Sequence, residues 1–469
     1  MSPARPSLAW RHAVAALAVV VIFALLLGAG VALLLGAGLA PLTRAAMVVG
    51  LGIGLWATGW LPQWLTALVF FTLCMAAKVA PAAVTFSGFE SAATWLVFSG
   101  MVIGAAINHT GLGERAATRL GPYLASGYPQ AVFGIGLAAL LASFVMPSSM
   151  GRILLLTPIM LTLVERLGYA PGDPARSGFL LSGIMSSFLP AFAILPANVP
   201  NNVLMGTSEA VLGFSPSYGH YFLLHFPVLG LLKWLLLMGL ILRLFPAAAP
   251  GPHQASSVPP TAPEGRPNLI MMGLLAFAVV MWMTDAWHGI SPAWIGMLVA
   301  LVCLYPGSGL LPSKPLAQMN LEPFLYVAGI VSLGALAHAS GVGAALAGYL
   351  LDVLPLAPGA DAGNFGWLAG LATLLGMLAT LPGIPAVMTP LTPQLAEVTG
   401  WSPQAAVMIQ VLGFSTIVLP YQSPPLIVGL LAARVDLRHA IRVTLPLALI
   451  TVVLLWPLDY LWWRWLGTF

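Results

Sequence analysis

Long apolar runs separated by short polar or Pro/Gly-rich stretches make up most of the chain. The first run extends almost unbroken from Ala13 to Leu39, and many later runs reach the ~20 residues that an α-helix needs to cross a bilayer. The pattern predicts an all-α integral membrane protein with about 11 transmembrane segments. Predicted spans and helical arms cover residues 13–38, 43–60, 62–82, 91–111, 129–146, 153–167, 176–194, 203–213, 219–245, 268–287, 291–307, 321–341, 363–381, 386–397, 403–433 and 443–465, with shorter helices at 113–124 and 343–355.

Two of these runs are interrupted by Pro/Gly-rich breaks. The first, Met146–Arg152, reads Met-Pro-Ser-Ser-Met-Gly-Arg, and the second, Leu381–Pro385, reads Leu-Pro-Gly-Ile-Pro. Irregular backbone at membrane depth is tolerated only where it is buried in protein or lines a cavity. Each break therefore predicts a re-entrant hairpin, over residues 129–167 and 363–397. Paired interruptions in two halves of a chain indicate the central binding site of a carrier.

A second pair of interruptions, at 195–202 and 419–425, predicts two broken helices. Neutral amides inside a membrane protein need hydrogen-bond partners, which a polar ligand or an ion can supply. Hydrogen bonding between helices is the alternative explanation. The polar residues of these two loops are Asn198, Asn201, Asn202, Gln422 and Ser423.

The two halves of the chain repeat short motifs in the same order. Trp56-Ala57-Thr58 recurs as Trp282-Met283-Thr284, and the turn Thr110–Gly113 recurs as Ser340–Gly343. Together with the paired breaks and loops, this order indicates an internal duplication. The predicted parts are an N-terminal span outside the repeat (1–42), a first repeat (43–246), a cytoplasmic linker rich in Pro and small polar residues (247–267) and a second repeat (268–469).

Basic residues concentrate on one side of the predicted topology. If both breaks are hairpins, twelve Lys and Arg residues fall on one side of the membrane and three on the other. Because an excess of Lys and Arg marks the cytoplasmic side, the N-terminus is expected in the cytoplasm and the two repeats are expected to be inverted. The expected location is the inner (plasma) membrane.

Composition excludes several other classes of protein. The chain is 59% hydrophobic and 6% charged, against ~25% charged for a soluble domain. Its net charge of +4 comes from basic residues scattered at segment ends, which does not indicate nucleic-acid binding. Cys74 and Cys303 lie in apolar runs, as inert packing residues do. We find no zinc-protease, nucleophile-elbow or Walker motif, so no enzymatic activity and no cofactor is expected.

The first break carries the sharpest candidate residue, Arg152. A charge at mid-membrane costs ~2.5 kcal/mol or more, and a guanidinium matches carboxylate, phosphate or sulfate bidentately. The alternative is that Arg152 snorkels or pairs with an internal acid, although no Asp or Glu lies in the same apolar region. Ser148 and Ser149 add hydroxyls and a helix N-terminus, which suit an ion or an anion. The second tip, Gly383–Pro385, offers backbone groups alone.

Other polar residues carry weaker signals. Lys233 lies in the middle of the span 219–245, where a structural pair or a snorkelling side chain explains it as well as function does. His109 and His338 lie near span ends, where interfacial packing competes with proton coupling as an explanation.

From about Ala46 to Gly467 the chain resembles the divalent anion/sodium symporter family, within the ion transporter superfamily. Hairpin tips in that family carry Ser-Asn-Thr with a Pro ten residues after the Ser. The first tip corresponds to Ser148-Ser149-Met150 with Pro158, and the second tip corresponds to Gly383-Ile384-Pro385 with Pro393. The family's Thr-Pro-Pro-Asn loops align with Val199–Asn202 and Ser423–Leu426. Its Trp-x-Thr-x-x-x-Pro motif is present as Trp56–Pro62.

The resemblance implies a secondary carrier of a small carboxylate-type anion that works by an elevator mechanism as a homodimer, with two Na⁺ sites beside the anion. Both tips lack the family's Asn and Thr, which leaves two hypotheses. In the first, transport is Na⁺-independent and Arg152 replaces the charge of a sodium ion. In the second, the protein is a Na⁺-coupled dicarboxylate symporter whose ion sites are built from backbone carbonyls. A channel fits less well because no ring of charge is found, and a membrane enzyme would need a general base near Arg152.

The residues expected at the site follow from the tips, the loops and the resemblance together. Na⁺ is the candidate coupling ion, and the anion and the lipid bilayer are the expected partners. The expected substrate-binding residues are Ser148, Ser149, Met150, Arg152, Asn201, Asn202, Ile384, Pro385, Ser423 and Pro424, and the expected ion-binding residues are Ser148, Ser149, Asn198, Gly383 and Gln422.

Overall fold

Helices form throughout the part of the chain that the computed structural model describes, namely residues 30, 38–58, 60–112, 127–247, 266–378 and 381–469. The predicted N-terminal span, the charged helix at 113–124 and nearly all of the linker lie outside the described residues. Ahead of the first hairpin and between the halves, the helices are Pro41–Thr58, Gln63–Ala76, Ala82–Thr85, Ser87–Glu90, Ala92–Thr110, Arg266–Met283, Asp285–His288, Pro292–Leu304, Glu322–Ala339 and Val342–Leu351.

The two predicted hairpins are present. The first hairpin consists of Tyr128–Val145 and Ser149–Arg166. The second consists of Asp361–Leu378 and a return arm divided into Gly383–Met388, Thr389–Leu391 and Thr392–Thr399. The return arm of the first hairpin begins earlier than the expected residue 153, because the Ser148 Oγ accepts a hydrogen bond from the Gly151 amide (3.1 Å) and caps the helix.

The two broken helices are present as well, with one boundary different from the prediction. The first broken helix consists of Pro174–Ser186 and Val199–Leu212, so its unwound part is 187–198 rather than 195–202. It resumes at Val199 because the Asn198 Oδ1 accepts the Asn201 amide hydrogen bond (3.0 Å) and Pro200 fits a first helical turn. The second broken helix consists of Pro403–Met408, Gln410–Ser415 and Pro424–Ala433.

Full-length spans account for part of the expected set. Among the described residues, five helices are long and apolar enough to cross a membrane. The other helices are shorter, less apolar or interrupted, and one of the five, Tyr128–Val145, is itself an arm of the first hairpin. The two longest close the two halves, and each contains a π-helical segment, Phe226–Leu232 in the first and Thr451–Leu455 in the second. The five are Ala92–Thr110, Tyr128–Val145, Tyr218–Leu244, Glu322–Ala339 and Leu437–Trp465.

Helix Glu322–Ala339 packs against its neighbours at backbone distance. A Cβ on Gly88 would lie 1.9 Å from the Ala328 carbonyl oxygen, and the Gly88 amide donates to the Ser332 Oγ (2.9 Å). The short helix Ser87–Glu90 is therefore fixed to this long helix by contacts that leave no room for a side chain.

We expect Gly88→Ala to lower the free energy of unfolding by about 1–3 kcal/mol, because the added methyl group must displace backbone. Thermal unfolding in detergent measures the effect. Gly104→Ala is the matched control, since a Cβ at Gly104 meets nothing within 4 Å. Equal melting temperatures for the two variants would contradict this packing.

Candidate functional site

Both hairpin tips and both unwound segments meet at one cavity of about 390 Å³. Pro147–Met150 and Pro382 come from the tips, while Asn198 and Gln422 come from the broken helices. The size lies within the range of small-molecule sites. The cavity therefore lies where interrupted backbone from both halves converges, as the paired breaks predict.

The first tip presents a helix N-terminus to this cavity. The amides of Gly151 and Arg152 are satisfied by Ser148, through its hydroxyl (3.1 Å) and its carbonyl (3.0 Å). The amides of Ser149 and Met150 come first in the helix and have no intrahelical acceptor, because helix geometry provides none. Free amides and the positive end of a helix attract an anion.

Two side-chain amides, one from each half of the chain, have N–H groups without a hydrogen-bond partner in the described residues. The Asn198 Oδ1 caps its helix, and the Gln422 Oε1 accepts from the amides of Val418 (2.9 Å) and Leu419 (2.8 Å), so the orientation of both amides is fixed. Within the described part of the chain, the Asn198 Nδ2 and the Gln422 Nε2 are buried without a hydrogen-bond partner. Such donors cost free energy unless a ligand supplies an acceptor.

Arg152 lies behind the first tip, fully buried and outside the cavity lining. Its guanidinium donates to the carbonyl oxygens of Met146, Ser187 (2.8 Å) and Ala197 (3.1 Å), and to the Ser149 Oγ (2.9 Å). Met146 and Ser187 follow the last residues of two helices, so the guanidinium lies where two negative helix ends converge. The arginine joins the first tip to the unwound segment of the first broken helix.

The second tip is joined to its own unwound segment without a charged group. The Leu381 amide donates to the Gln422 carbonyl oxygen (3.3 Å). Each tip is thus bonded to the unwound segment of its own half, the first through a guanidinium and the second through a backbone amide.

The structure brings only part of the expected residue set to the cavity. Arg152, Ile384, Pro385, Gly383 and Asn201 do not line it. The Asn201 Nδ2 instead donates to the carbonyl oxygens of Ala191 (3.0 Å) and Ile194 (2.8 Å), so this side chain closes the unwound backbone. Those that do line the cavity are Ser148, Ser149, Met150, Asn198, Asn202, Gln422, Ser423 and Pro424.

Several cavity residues were missed by sequence reasoning. Trp64 and Met101 come from helices that carry no break, and Phe188 and Phe192 lie in the unwound part of the first broken helix. Glu322, at the start of helix Glu322–Ala339, places an exposed carboxylate at the rim. The one available signal was the position of Trp64 directly after the Trp56–Pro62 motif.

No resident metal centre is found in the part of the chain that the structure describes, where no three His, Cys, Asp or Glu side chains come together. The cavity offers hydroxyls, amides and backbone groups. This donor set suits a small polar solute.

The known proteins similar to this chain include an antiporter and a transporter. An L-tartrate/succinate antiporter of Escherichia coli (strain UTI89) is 27% identical over 333 residues, which cover 64% of this chain and 67% of that protein. The chloroplastic dicarboxylate transporter 2.2 of Arabidopsis thaliana is 24% identical over 276 residues, 55% of this chain and 48% of that protein. The chain thus matches about half to two thirds of the length of these curated relatives.

The fold is similar to a solved transporter. The crystal structure of the Alcanivorax borkumensis YdaH transporter aligns with a TM-score of 0.54 at 15% identity and covers 82% of this chain and 88% of that one. The family described as "Sodium:sulfate symporter transmembrane region" matches residues 7–469. The chain belongs to this sodium:sulfate symporter family, the divalent anion/sodium symporter family that its tips and loops resemble.

Proposed function

We propose that the protein is a secondary carrier of a small dicarboxylate such as succinate or tartrate, the solutes named for the E. coli antiporter. The observation that carries the proposal is the cavity itself, which is lined by Asn198 and Gln422, whose amide N–H groups lack partners, and by the helix N-terminus at Ser149 and Met150. Two separated carboxylates could bind the first tip and the amide of Gln422 at the same time. The division into two inverted repeats, the cytoplasmic N-terminus and the homodimer belong to the same proposal.

The binding of the anion should depend on the Asn198 and Gln422 donors. Asn198→Asp and Gln422→Glu keep the oxygens that accept backbone hydrogen bonds, but they replace a donor with a second carboxylate oxygen. Because hydrogen bonds to a charged group contribute about 1.5–3 kcal/mol, each change should weaken succinate binding at least about tenfold. Calorimetry on the purified protein measures the affinity.

Gln394→Glu is the matched control, because Gln394 does not line the cavity. Sulfate and tartrate are tested beside succinate. Unchanged affinity of all three anions in Asn198→Asp and Gln422→Glu would contradict this site.

Arg152 supports transport without Na⁺ at the first break. Three backbone carbonyls and a hydroxyl, the kind of oxygens that Na⁺ coordinates, already accept hydrogen bonds from the guanidinium. A fixed positive charge one helical turn behind Ser149 would attract the anion as a sodium ion would. The competing function is Na⁺-coupled symport, in which this half would have to bind the ion elsewhere.

Uptake of labelled succinate into proteoliposomes should therefore be equal in Na⁺ and in choline buffers. Arg152→Ala should abolish it, since three carbonyls and the Ser149 hydroxyl lose their donor, and Arg152→Lys should keep reduced, Na⁺-independent uptake because the charge stays. Size-exclusion profiles check folding. Uptake by the unmodified protein that requires Na⁺ would establish the symporter alternative instead.

Glycines lie at the boundary between the hairpins and broken helices on one side and the remaining helices on the other, and this supports an elevator mechanism. The hairpins and broken helices are tied to one another, for example by the Thr207 Oγ1 hydrogen bond to the Thr389 Oγ1 (3.1 Å). Where the hairpins and broken helices face the remaining helices, glycines lie at the contacts. The Glu209 carboxylate accepts a hydrogen bond from the Ser91 hydroxyl across this boundary (3.2 Å), and this bond must break for movement. The contacts at this boundary are Gly100 with Pro147, Gly206 with Val331, Gly334 with Thr207, and Gly343 with Pro390.

Side chains at this boundary should stop transport without removing the binding site. Gly334→Val should abolish succinate uptake, because a Cβ there would lie 2.9 Å from the Thr207 side chain, while succinate still raises the melting temperature. Gly104→Val, on a facing helix but with nothing within 4 Å of its Cβ, should transport normally. Full uptake by Gly334→Val would contradict movement along this boundary.

A further inference from the structure

Lys233 and Asp459 form a pair of buried ionisable groups away from the anion cavity. They are 2% and 0% exposed and lie on the two long π-containing helices, Tyr218–Leu244 and Leu437–Trp465. Each lies within electrostatic range of the other, although no ion pair joins them in the described residues, and neither lines the cavity. Ionisable groups at membrane depth are costly and are kept where they serve a function.

The lysine holds one end of the second broken helix. Its Nζ donates to the carbonyl oxygen of Ser415 (2.5 Å), the last residue of Gln410–Ser415. Arg152 does the same at Ser187, directly after Pro174–Ser186. Each broken helix therefore has a buried basic side chain at the C-terminal end of its first part, where the helix dipole favours a cation. The arginine stays charged, whereas a lysine can exchange its proton.

The carboxyl group of Asp459 has no strong hydrogen-bond partner. Neither of its oxygens meets hydrogen-bond geometry within the described ranges, and the Trp463 indole beside it interacts with it only weakly. An ionised carboxylate buried in this way is strongly unfavourable, whereas the protonated form is neutral. The geometry therefore fits an Asp459 that carries a proton while Lys233 bonds Ser415.

Few other charged groups face this pair. On helix Tyr218–Leu244, His225 touches the Trp463 ring (5.5 Å between centroids), but it lies eight residues from Lys233, about 12 Å along the helix axis. Asp361, at the start of the neighbouring arm, accepts from the Trp401 indole (2.9 Å). The other ionisable groups on the two long helices and on elements packed against them include Tyr128, Arg176, Tyr218, His220, Tyr221, Arg243, Tyr421, Arg438, His439, Arg442, Tyr460 and Arg464.

We propose that Lys233 and Asp459 are the proton-coupling site of this carrier, an inference that rests on the proposed anion transport. With Asp459 protonated, Lys233 bonds Ser415 and holds the second broken helix as observed. When the O–H bond of Asp459 breaks and its proton passes to water, the carboxylate attracts the ammonium away from Ser415 and frees that helix end. One π-segment ends directly before Lys233 and the other ends four residues before Asp459, and such segments are a local irregularity found at functional sites in helices.

The test uses the full chain in proteoliposomes without Na⁺ and compares labelled succinate uptake with and without an inward proton gradient of one pH unit, about tenfold in proton activity. The ratio of the two rates should be several-fold for the unmodified protein and about one for Asp459→Asn, which is permanently neutral. Asp352→Asn, an exposed carboxyl, is the control and should keep the several-fold ratio. A gradient response retained in Asp459→Asn would overturn the proposal.

A second measurement does not depend on the substrate. Infrared difference spectra between acid and alkaline pH should show a buried carboxylic-acid band that Asp459→Asn lacks and Asp352→Asn keeps. If the band is present but neither the unmodified protein nor any variant takes up succinate, the proton site is supported and the proposed substrate is refuted. Uptake together with a spectrum that Asp459→Asn leaves unchanged would refute the proton site while leaving anion transport in place.

Discussion

Carbonyl groups freed where helices stop inside the membrane must find donors, and the rest of this structure depends on how they do. At the first break the donor is the guanidinium of Arg152, which donates hydrogen bonds to the carbonyl groups at the ends of two helices and to one carbonyl of the unwound segment. In the second half, the Leu381 amide donates to the Gln422 carbonyl, and the ammonium of Lys233 donates to the Ser415 carbonyl at the end of a helix. The first half thus uses a permanent positive charge, and the second half uses a lysine whose proton can exchange.

This difference makes the two halves chemically unequal. The first tip has two serines, free amides at Ser149 and Met150, and a permanent charge behind them. The second tip has no polar side chain, and the second broken helix resumes at Pro424 and Pro425, which have no N–H to offer. In the proposed function, the anion is held chiefly by the first half, and the second half contributes the Gln422 amide and the titratable pair.

The sequence predicted the features that follow from local chemistry. Pro and Gly interrupting apolar runs identified both hairpins and both broken helices, because backbone breaks in lipid are rare and costly. The start of Val199–Leu212 was misplaced because the capping role of Asn198 depends on which of three nearby asparagines turns back to the helix. The carbonyl groups that Arg152 binds belong to residues 6 to 45 positions away, so their convergence could not be read from spacing. Trp64, Phe188 and Phe192 carry no polar signal, and only tertiary packing places them at the cavity.

The central claim is that Arg152 occupies, at the first break, the position of a cation while the anion binds in front of it. A cryo-electron microscopy structure in lipid nanodiscs, with succinate and Na⁺ both present, tests it most directly. The account predicts succinate between Ser149, Asn198 and Gln422, with the guanidinium still bonded to Met146, Ser187 and Ala197. A sodium ion among those three carbonyls, with Arg152 displaced, would contradict it.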